Sequence, residues 1–534
     1  MKIVGYEKRK NKELFKSFKN LKTLDIKEIQ NYIPIYNKFF NFDKTQEINL
    51  DNYNFITNIE DNEDNEDSED EFPEKIFNVE LNGTMKKRSF LKLIPVIEAS
   101  QFLTGKYKLT DDEFYKLPNI ENDGHNDFYD MNNISYIDSL FSFLSSKLLN
   151  TYHFENAIDY YGSFLSIIDN FKLDISDDIE YYAGSDFFMK NKNKLFRVED
   201  ENSPPPLIFE DTDQAIDFDS LETIDTLETF ENSIIEVIPE INSTSNSLPE
   251  PRADSGSESD SGSESDSGSE SDSGSDSGSD SSSMSSSSES DTMEEVNVIF
   301  NKYLVQITCL EHCVDTLDTL ILTNSFKSED EWLSCLFQII IILIVFQDTF
   351  SFTHNDLHTN NVMYVHTDKE FLSYCYRGIY YKIPTFGRIF KIIDFGRSIY
   401  KINGQICCSN SFRPSGDAST QYNCEPYFNP KKKRIDPNFS FDLCRLACSI
   451  WDNIGNRQKT GVSKIIDEWC RDDKGINVLY KTNGEERYPN FKLYKMIART
   501  VHNHTPHNQL QRPEFSKFIT GPIDAVMLDD IPKF

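Results

Sequence analysis

Cysteine is absent ahead of position 309: all ten cysteines lie at or after Cys309, none stands in a C-x-x-C pair, and Cys407 and Cys408 are adjacent. That distribution argues against a disulfide framework and a zinc ribbon, and for buried or free thiols in a reducing compartment. Basic charge is also short, with 54 Lys and Arg against 89 Asp and Glu and a formal net charge of -35. Phosphate backbones repel such a chain, so no nucleic-acid partner is expected. The best membrane-spanning candidate, CLFQIIIILIVF at 335–346, is too short and contains Gln338. It predicts a buried core helix and no membrane partner. The N-terminus, MKIVGYEKRKNKEL, lacks the apolar core of a signal peptide. A soluble, intracellular protein is therefore the expectation. Apolar residues make up only 38% of the chain while aromatics reach 13%. That combination fits a folded body diluted by polar segments.

Residues 1–75 begin basic and end in the acid run DNEDNEDSEDE, and they read as a variable, partly disordered region. Regular structure is expected from EKIFNVELNGTMKKRSFLKLIPVI (74–97), as a hairpin turning at Asn82-Gly83. Helical apolar spacing follows at Ile137, Leu140, Phe141, Leu144 and Leu148, and strand character returns at 157–168. Residues 201–295, rich in Ser, Asp and Glu with the repeat SGSESD, cannot bury enough apolar surface to offset their ordering entropy. They are expected to be a disordered insertion. Order resumes at 296 with a strand, a connector and a helix, then a helix over 329–350. Beyond 440 the chain reads as mainly helical, most clearly at SFDLCRLACSIWDNI (440–454). HNHTPH (502–507) has no acid or cysteine at ligand spacing and reads as a solvated turn, not a metal site.

Two stretches carry chemistry. His354-Asn355-Asp356-Leu357-His358-Thr359-Asn360-Asn361 fits H-x-D-L-x-x-x-N, between a helix and the strand NVMYV. FKIIDFGRS follows, with the apolar strand Phe390 to Ile393 running into Asp394-Phe395-Gly396. Phosphoryl transfer asks little covalent work of a protein but needs phosphate, metal and acceptor held in line. Asp356 suits the carboxylate that accepts or orients the acceptor's proton. Asp394 and Asn361 offer the hard oxygens that Mg²⁺ prefers, with Mn²⁺ as an alternative. Lys92, flanked by apolar neighbours on a predicted strand, is costly to bury without a partner.

These residues resemble the protein-kinase superfamily, with HNDLHTNN standing as its catalytic loop and DFG as written. The long hairpin before IIDFGR and the Y-x-D-S-x-F helix resemble kinases of giant DNA viruses. The resemblance implies an α+β, bilobal kinase-like fold. Residues 76–200 and 296–314 would form a small β-rich N-lobe ending in a hinge, and 315–534 a large, mainly helical C-lobe. It implies ATP as cofactor, Lys92 on its phosphates, Asp138 as the acid partner of Lys92, and the backbone near Glu311 to Cys313 on the adenine edge. His358 joins Asp356 among the catalytic candidates, where the family usually has Lys. Asp442 would brace the catalytic loop from beneath. The implied reaction is γ-phosphate transfer to Ser or Thr hydroxyls of a protein substrate, with autophosphorylation of 255–292 possible. Several departures stand out. No G-x-G-x-x-G precedes Lys92, Asn355 replaces the usual Arg, and residues 370–390 enlarge the hairpin before DFG. A small-molecule kinase and a pseudokinase scaffold remain as alternatives.

Overall fold

The computed structural model describes residues 3–41, 47–62, 75–107, 116–120, 127–176, 179–200, 296–454 and 461–534. The expected insertion, including the serines of 255–292, lies outside the described residues.

The first part of the described chain builds a seven-stranded antiparallel sheet. Its strands are β1 (Asp25–Gln30), β2 (Ile56–Asp61), β3 (Ile76–Leu81), β4 (Met85–Pro95), β5 (Tyr160–Asp174), β6 (Phe196–Asp200) and β7 (Val296–Glu311). Their spatial order is β1-β5-β7-β4-β3-β2, with β6 paired to the start of β7. The β3–β4 hairpin turns at Asn82-Gly83 as the sequence predicts. Both residues take positive φ (53° and 77°), which Asn tolerates and Gly adopts freely.

The region before residue 75 departs from expectation. Within the described residues it contributes β1 and β2 to this sheet, a second strand pair (Tyr6–Lys8 with Ile48–Leu50) and a helix, Lys12–Lys19. The reason lies in the ladder. A register shift between Ile56 and Asn58 puts Ile56 and Ile59, three residues apart, in the core together. A bulge of this kind erases the period-two signal by which a strand is recognised.

Helix α1 (Ile134–Tyr152) packs on β5 and β7. Asn133 caps it: Oδ1 accepts from the Ser135 N–H at 3.0 Å, while Nδ2 donates to the Val96 carbonyl at 2.7 Å and ties the helix start to the end of β4. Downstream come α2 (Leu317–Leu322), α3 (Glu329–Phe350), α4 (Phe441–Ile454), α5 (Gly461–Trp469) and α6 (Lys492–Thr500). Helix α3 begins at the Ser328 cap with three acids in its first turn, favourable at the positive end of the helix dipole. By length and composition α3 is apolar enough to cross a membrane, but 94% of its most apolar window is buried by surrounding protein. It is a core helix, as the sequence reading expected.

Short strands hang from these helices. They are β8 (Asp315–Thr316), β9 (Val362–His366), β10 (Phe371–Tyr376), β11 (Ile379–Pro384) and β12 (Arg388–Ile392). Strand β9 lies between β8 and β12, and β10 and β11 form their own hairpin inserted between β9 and β12. The aromatic stretch 370–390 is thus a nested hairpin, and it leaves the β9–β12 pairing intact.

HNHTPH is not a solvated turn. His504 is buried and its Nε2 meets the Arg471 carbonyl at 2.8 Å, while His507 Nδ1 meets the Tyr376 hydroxyl at 2.7 Å. Partners arriving from distant segments hold these rings, which local polarity could not reveal. Among the described residues, no three His, Cys, Asp or Glu side chains group as a metal site. All ten cysteines are free and buried, as expected.

Candidate active site

Helix α3 ends in the left-handed residue Ser351, and the chain continues as an irregular loop. Thr353 pairs with Ile399 through reciprocal backbone hydrogen bonds of 2.9 and 3.0 Å. The His354 and Asn355 N–H groups both donate to Asp442 on α4, each at 2.9 Å, so one buried carboxylate satisfies two buried backbone donors. His354 is itself buried, with Nε2 on the Ile393 carbonyl at 2.9 Å. Asn355 adopts φ 67°, a region Asn tolerates. Its amide donates to the Arg397 carbonyl at 2.9 Å and accepts from the Tyr422 hydroxyl at 2.8 Å.

This anchoring presents Asp356 at the surface of the loop, its side chain 23% exposed. Asn361, at the start of β9, donates through Nδ2 to the Asp356 carbonyl (2.9 Å) and to His358 Nε2 (3.1 Å). An amide nitrogen only donates, so His358 Nε2 accepts and the ring is neutral with its proton on Nδ1. Burial lowers the His358 pKa and favours the same state. Both Asn361 amide hydrogens are then used, leaving its oxygen as the group still able to bind.

Strand β12 runs antiparallel to β9, with Val362 opposite Ile392. The Ile393 N–H donates to the Asn361 carbonyl at 3.0 Å, which sets Asp394 beside the end of the Asp356 loop. Asp394 takes φ 63° and meets Lys92 Nζ at 2.9 Å. The same Nζ meets Asp138 of α1 at 2.8 Å, and Asp138 Oδ1 also accepts the Phe395 N–H at 2.6 Å. Three elements distant in sequence therefore converge on one ammonium. Burial works against the Lys92 charge, but the two carboxylates outweigh it and raise its pKa. Burial pushes Asp394 up, yet the Lys92 charge and hydrogen bond hold it at about 2. Asp138, whose side chain is 1% exposed, is pushed up by burial, and Lys92 only partly offsets this.

Aromatic rings lock this arrangement from behind. Phe141 of α1 stacks on Phe352 at 4.2 Å and tilts against Phe395 at 4.7 Å. The packing links the helix that carries Asp138 to both loops.

Among the candidates for an adenine edge, Glu311 has other work. Its N–H donates to the Asp159 carbonyl at 3.0 Å. Its carboxylate accepts the Asp159 N–H at 2.7 Å and Lys391 Nζ at 2.6 Å. Lys391 is 3% exposed and also donates to the Ala157 carbonyl at 2.8 Å. This buried pair ties the end of β7 to β12. Replacing Lys391 by Met should lower unfolding stability by about 3 kcal/mol, because it strands the Glu311 charge. Urea denaturation checks this, and an unchanged midpoint would remove the tie. Cys313 is different: it is buried, and among the described residues its backbone makes no hydrogen bond. Burial pushes its thiol up, leaving an unreactive SH.

The groups that meet the Asp356 side chain were not among the residues singled out from the sequence. They are the Tyr494 hydroxyl on Oδ1 at 2.6 Å and Arg397 Nη1, 3.6 Å from Oδ2. Arg397 follows DFG directly and could have been singled out, whereas Tyr494 lies 138 residues from Asp356 with no pattern linking them.

Chemically, the site combines a partly exposed carboxylate (Asp356), a cation between two acids (Lys92), and an exposed carboxylate with an amide oxygen from the start of the neighbouring strand (Asp394, Asn361). The last pair suits Mg²⁺, which takes few protein ligands and fills its octahedron with phosphate oxygens and water. Asp394 is 47% exposed and Asn361 has a spare oxygen, so this donor set fits the ion.

No family model matches the chain. The chain is similar to a protein of Acanthamoeba polyphaga mimivirus described as a putative serine/threonine-protein kinase, at 26% identity over 204 residues. That stretch is 36% of this chain and 49% of the relative, so the chain spans about half the length of the kinase-like protein it resembles.

Proposed function

We propose that this chain is an ATP-dependent phosphotransferase of the protein-kinase kind, transferring the γ-phosphate to Ser or Thr hydroxyls of a protein. In this reading the seven-stranded sheet with α1 is the small lobe, and α2 to α6 with their short strands form the large one. The observation that carries the reading is Lys92 held between Asp138 and Asp394, next to a loop whose Asp356 and Asn361 are fixed by Asp442 and His358. Lys92 anchors the ATP phosphates. Asp356 orients the acceptor hydroxyl and takes its proton. Asp394 and Asn361 hold Mg²⁺, or Mn²⁺, which when bound neutralises charge on the transferring phosphate. The Cys313 backbone receives the adenine edge. The likeness to a kinase-like viral protein supports the same reading.

A second reading, a nucleotide-binding scaffold, has one feature in its favour. The β2–β3 connection leaves the sheet at Asp61, opposite Phe77, and rejoins it at Ile76, opposite Phe90, two positions from Lys92; its sequence is acid-rich with no glycine. A glycine-rich phosphate cover of the usual composition is thus missing from that connection. Residues 63–74 of it lie outside the described residues. A small-molecule acceptor is the third possibility, favoured by His358 where protein kinases carry Lys.

Purified protein with Mg²⁺ and γ-labelled ATP should label itself or an added basic protein, and Asp356→Ala and Asp394→Asn should each abolish the label. Labelling that survives Asp356→Ala would remove the reading. ATP-induced thermal stabilisation without transfer would favour the scaffold. Intact mass after ATP treatment, compared with and without residues 200–295, would show whether that segment, with the serines of 255–292, accepts phosphate.

A further inference from the structure

Asp356 has two oxygens in different surroundings. Oδ1 accepts the Tyr494 hydroxyl at 2.6 Å. Oδ2 has the Arg397 guanidinium at 3.6 Å, beyond hydrogen-bond length. Arg397 is in turn drawn toward Asp417, to which its other terminal nitrogen donates. Tyr494 is not free to rotate its proton elsewhere. Its oxygen accepts from Arg445 Nε at 2.9 Å, and arginine never accepts, so the one phenolic proton goes to Asp356. The ring is also fixed, stacked on Phe491 at 5.1 Å and 10° and flanked by Phe441 at 6.1 Å. Arg445 lies on α4, three residues after Asp442, the residue that holds the backbone of the same loop. Positions i and i+3 share a helix face.

We infer that Arg445 and Tyr494 form a directed hydrogen-bond chain that orients the Asp356 carboxylate, reserving Oδ2 for the proton of the incoming hydroxyl. This deepens the phosphotransferase reading and rests on it. Helix α4 thus controls the loop twice, through its backbone by Asp442 and through its reactive side chain by Arg445 acting on Tyr494. Both are positioning residues: neither needs to touch substrate. A carboxylate tethered at one oxygen keeps one rotamer, and a misplaced reacting group costs on the order of 100-fold in rate.

The test uses the full-length protein, γ-labelled ATP and a basic protein acceptor. It compares wild type with Tyr494→Phe, Arg445→Gln, Arg445→Lys, the Phe/Gln double variant, and Asp356→Asn. Tyr494→Phe keeps the stacked ring and removes only the hydroxyl. It should lower kcat by about 10- to 100-fold with KM for ATP unchanged, since nucleotide contacts are untouched. Arg445→Gln should do the same, and the double variant should be no slower than the slower single, because the two act as one chain. Arg445→Lys keeps the charge but loses the Nε donor, and should stay slow. A Tyr494→Phe rate within about twofold of wild type, or singles whose losses multiply, would overturn the inference while leaving the transferase reading intact. A faster Tyr494→Phe would also overturn it, showing that the hydroxyl stands in the acceptor's place. A wild type that binds ATP without transferring phosphate sinks both.

Discussion

Replacing Lys92 by methionine is expected to abolish phosphate transfer and to lower stability by about 3 kcal/mol, the low end for breaking a buried ion pair because Asp394 is partly solvated. Methionine keeps the length and apolar bulk of the side chain, so the effect isolates the charge. Without it, Asp138 faces Asp394 with no cation between them. Asp138 is fully buried, and its Oδ2 already lacks a hydrogen-bond partner among the described residues. Two carboxylates this close cannot both ionise cheaply, and their joint titration must rise.

The pH dependence follows with a definite sign. In the wild type the Lys92 pKa is raised, so its contribution is complete below the unfolded value of about 10.4 and fades as pH rises through the folded one. Asp394 is depressed to about 2, so its contribution is present above the unfolded value and is lost as pH falls through about 2. Asp138 is raised, so its ionised form costs stability at neutral pH, and that cost fades on acidification. In the Met variant both carboxylates rise, and protonation relieves their repulsion. The stability gap from wild type should therefore be widest near about pH 7.5 and narrower near about pH 5. Denaturant titrations at the two pH values measure it. A gap of equal width at both, or a variant that still transfers phosphate, would contradict the account of this cluster.

Asp442→Ala should produce the other large effect, a loss of about 2–5 kcal/mol together with a transfer rate lowered on the order of 100-fold. The two N–H groups it serves are buried, and among the described residues Asp442 is the acceptor for both. The loop they belong to also carries Asn355 at positive φ, a conformation that persists only while the surroundings hold it. Releasing this anchor lets Asp356 drift, although the Arg445–Tyr494 chain still grips its side chain. Asp442→Asn keeps one acceptor oxygen and should fall between wild type and Ala on both measures. Equilibrium unfolding and single-turnover transfer read the two effects separately. An Ala variant with wild-type stability would show that Asp442 is no brace.

Local signals carried much of the architecture. The Asn82-Gly83 hairpin, helix α3 over 329–350 and the strand before Asp394 follow from turn chemistry and periodicity, which act over a few residues. The pairing of Lys92 with Asp138, found at 2.8 Å, was expected for a different reason: the kinase resemblance implies an acid on a later helix as partner of that lysine. The strands at 25–30 and 56–61 escaped notice because bulges broke their alternation, and an acid run follows the second.

Composition and short-range pattern thus specified several of the strands and helices, and some of the side chains that needed partners. The packing of distant segments alone decided who those partners are. Glu311 went to Lys391 across β7 and β12, His504 to the Arg471 carbonyl, and Asp356 to Tyr494 from 138 residues away. A hydrogen bond or buried ion pair is set by geometry at about 3 Å, and the chain reaches that geometry only once helices and sheet have packed.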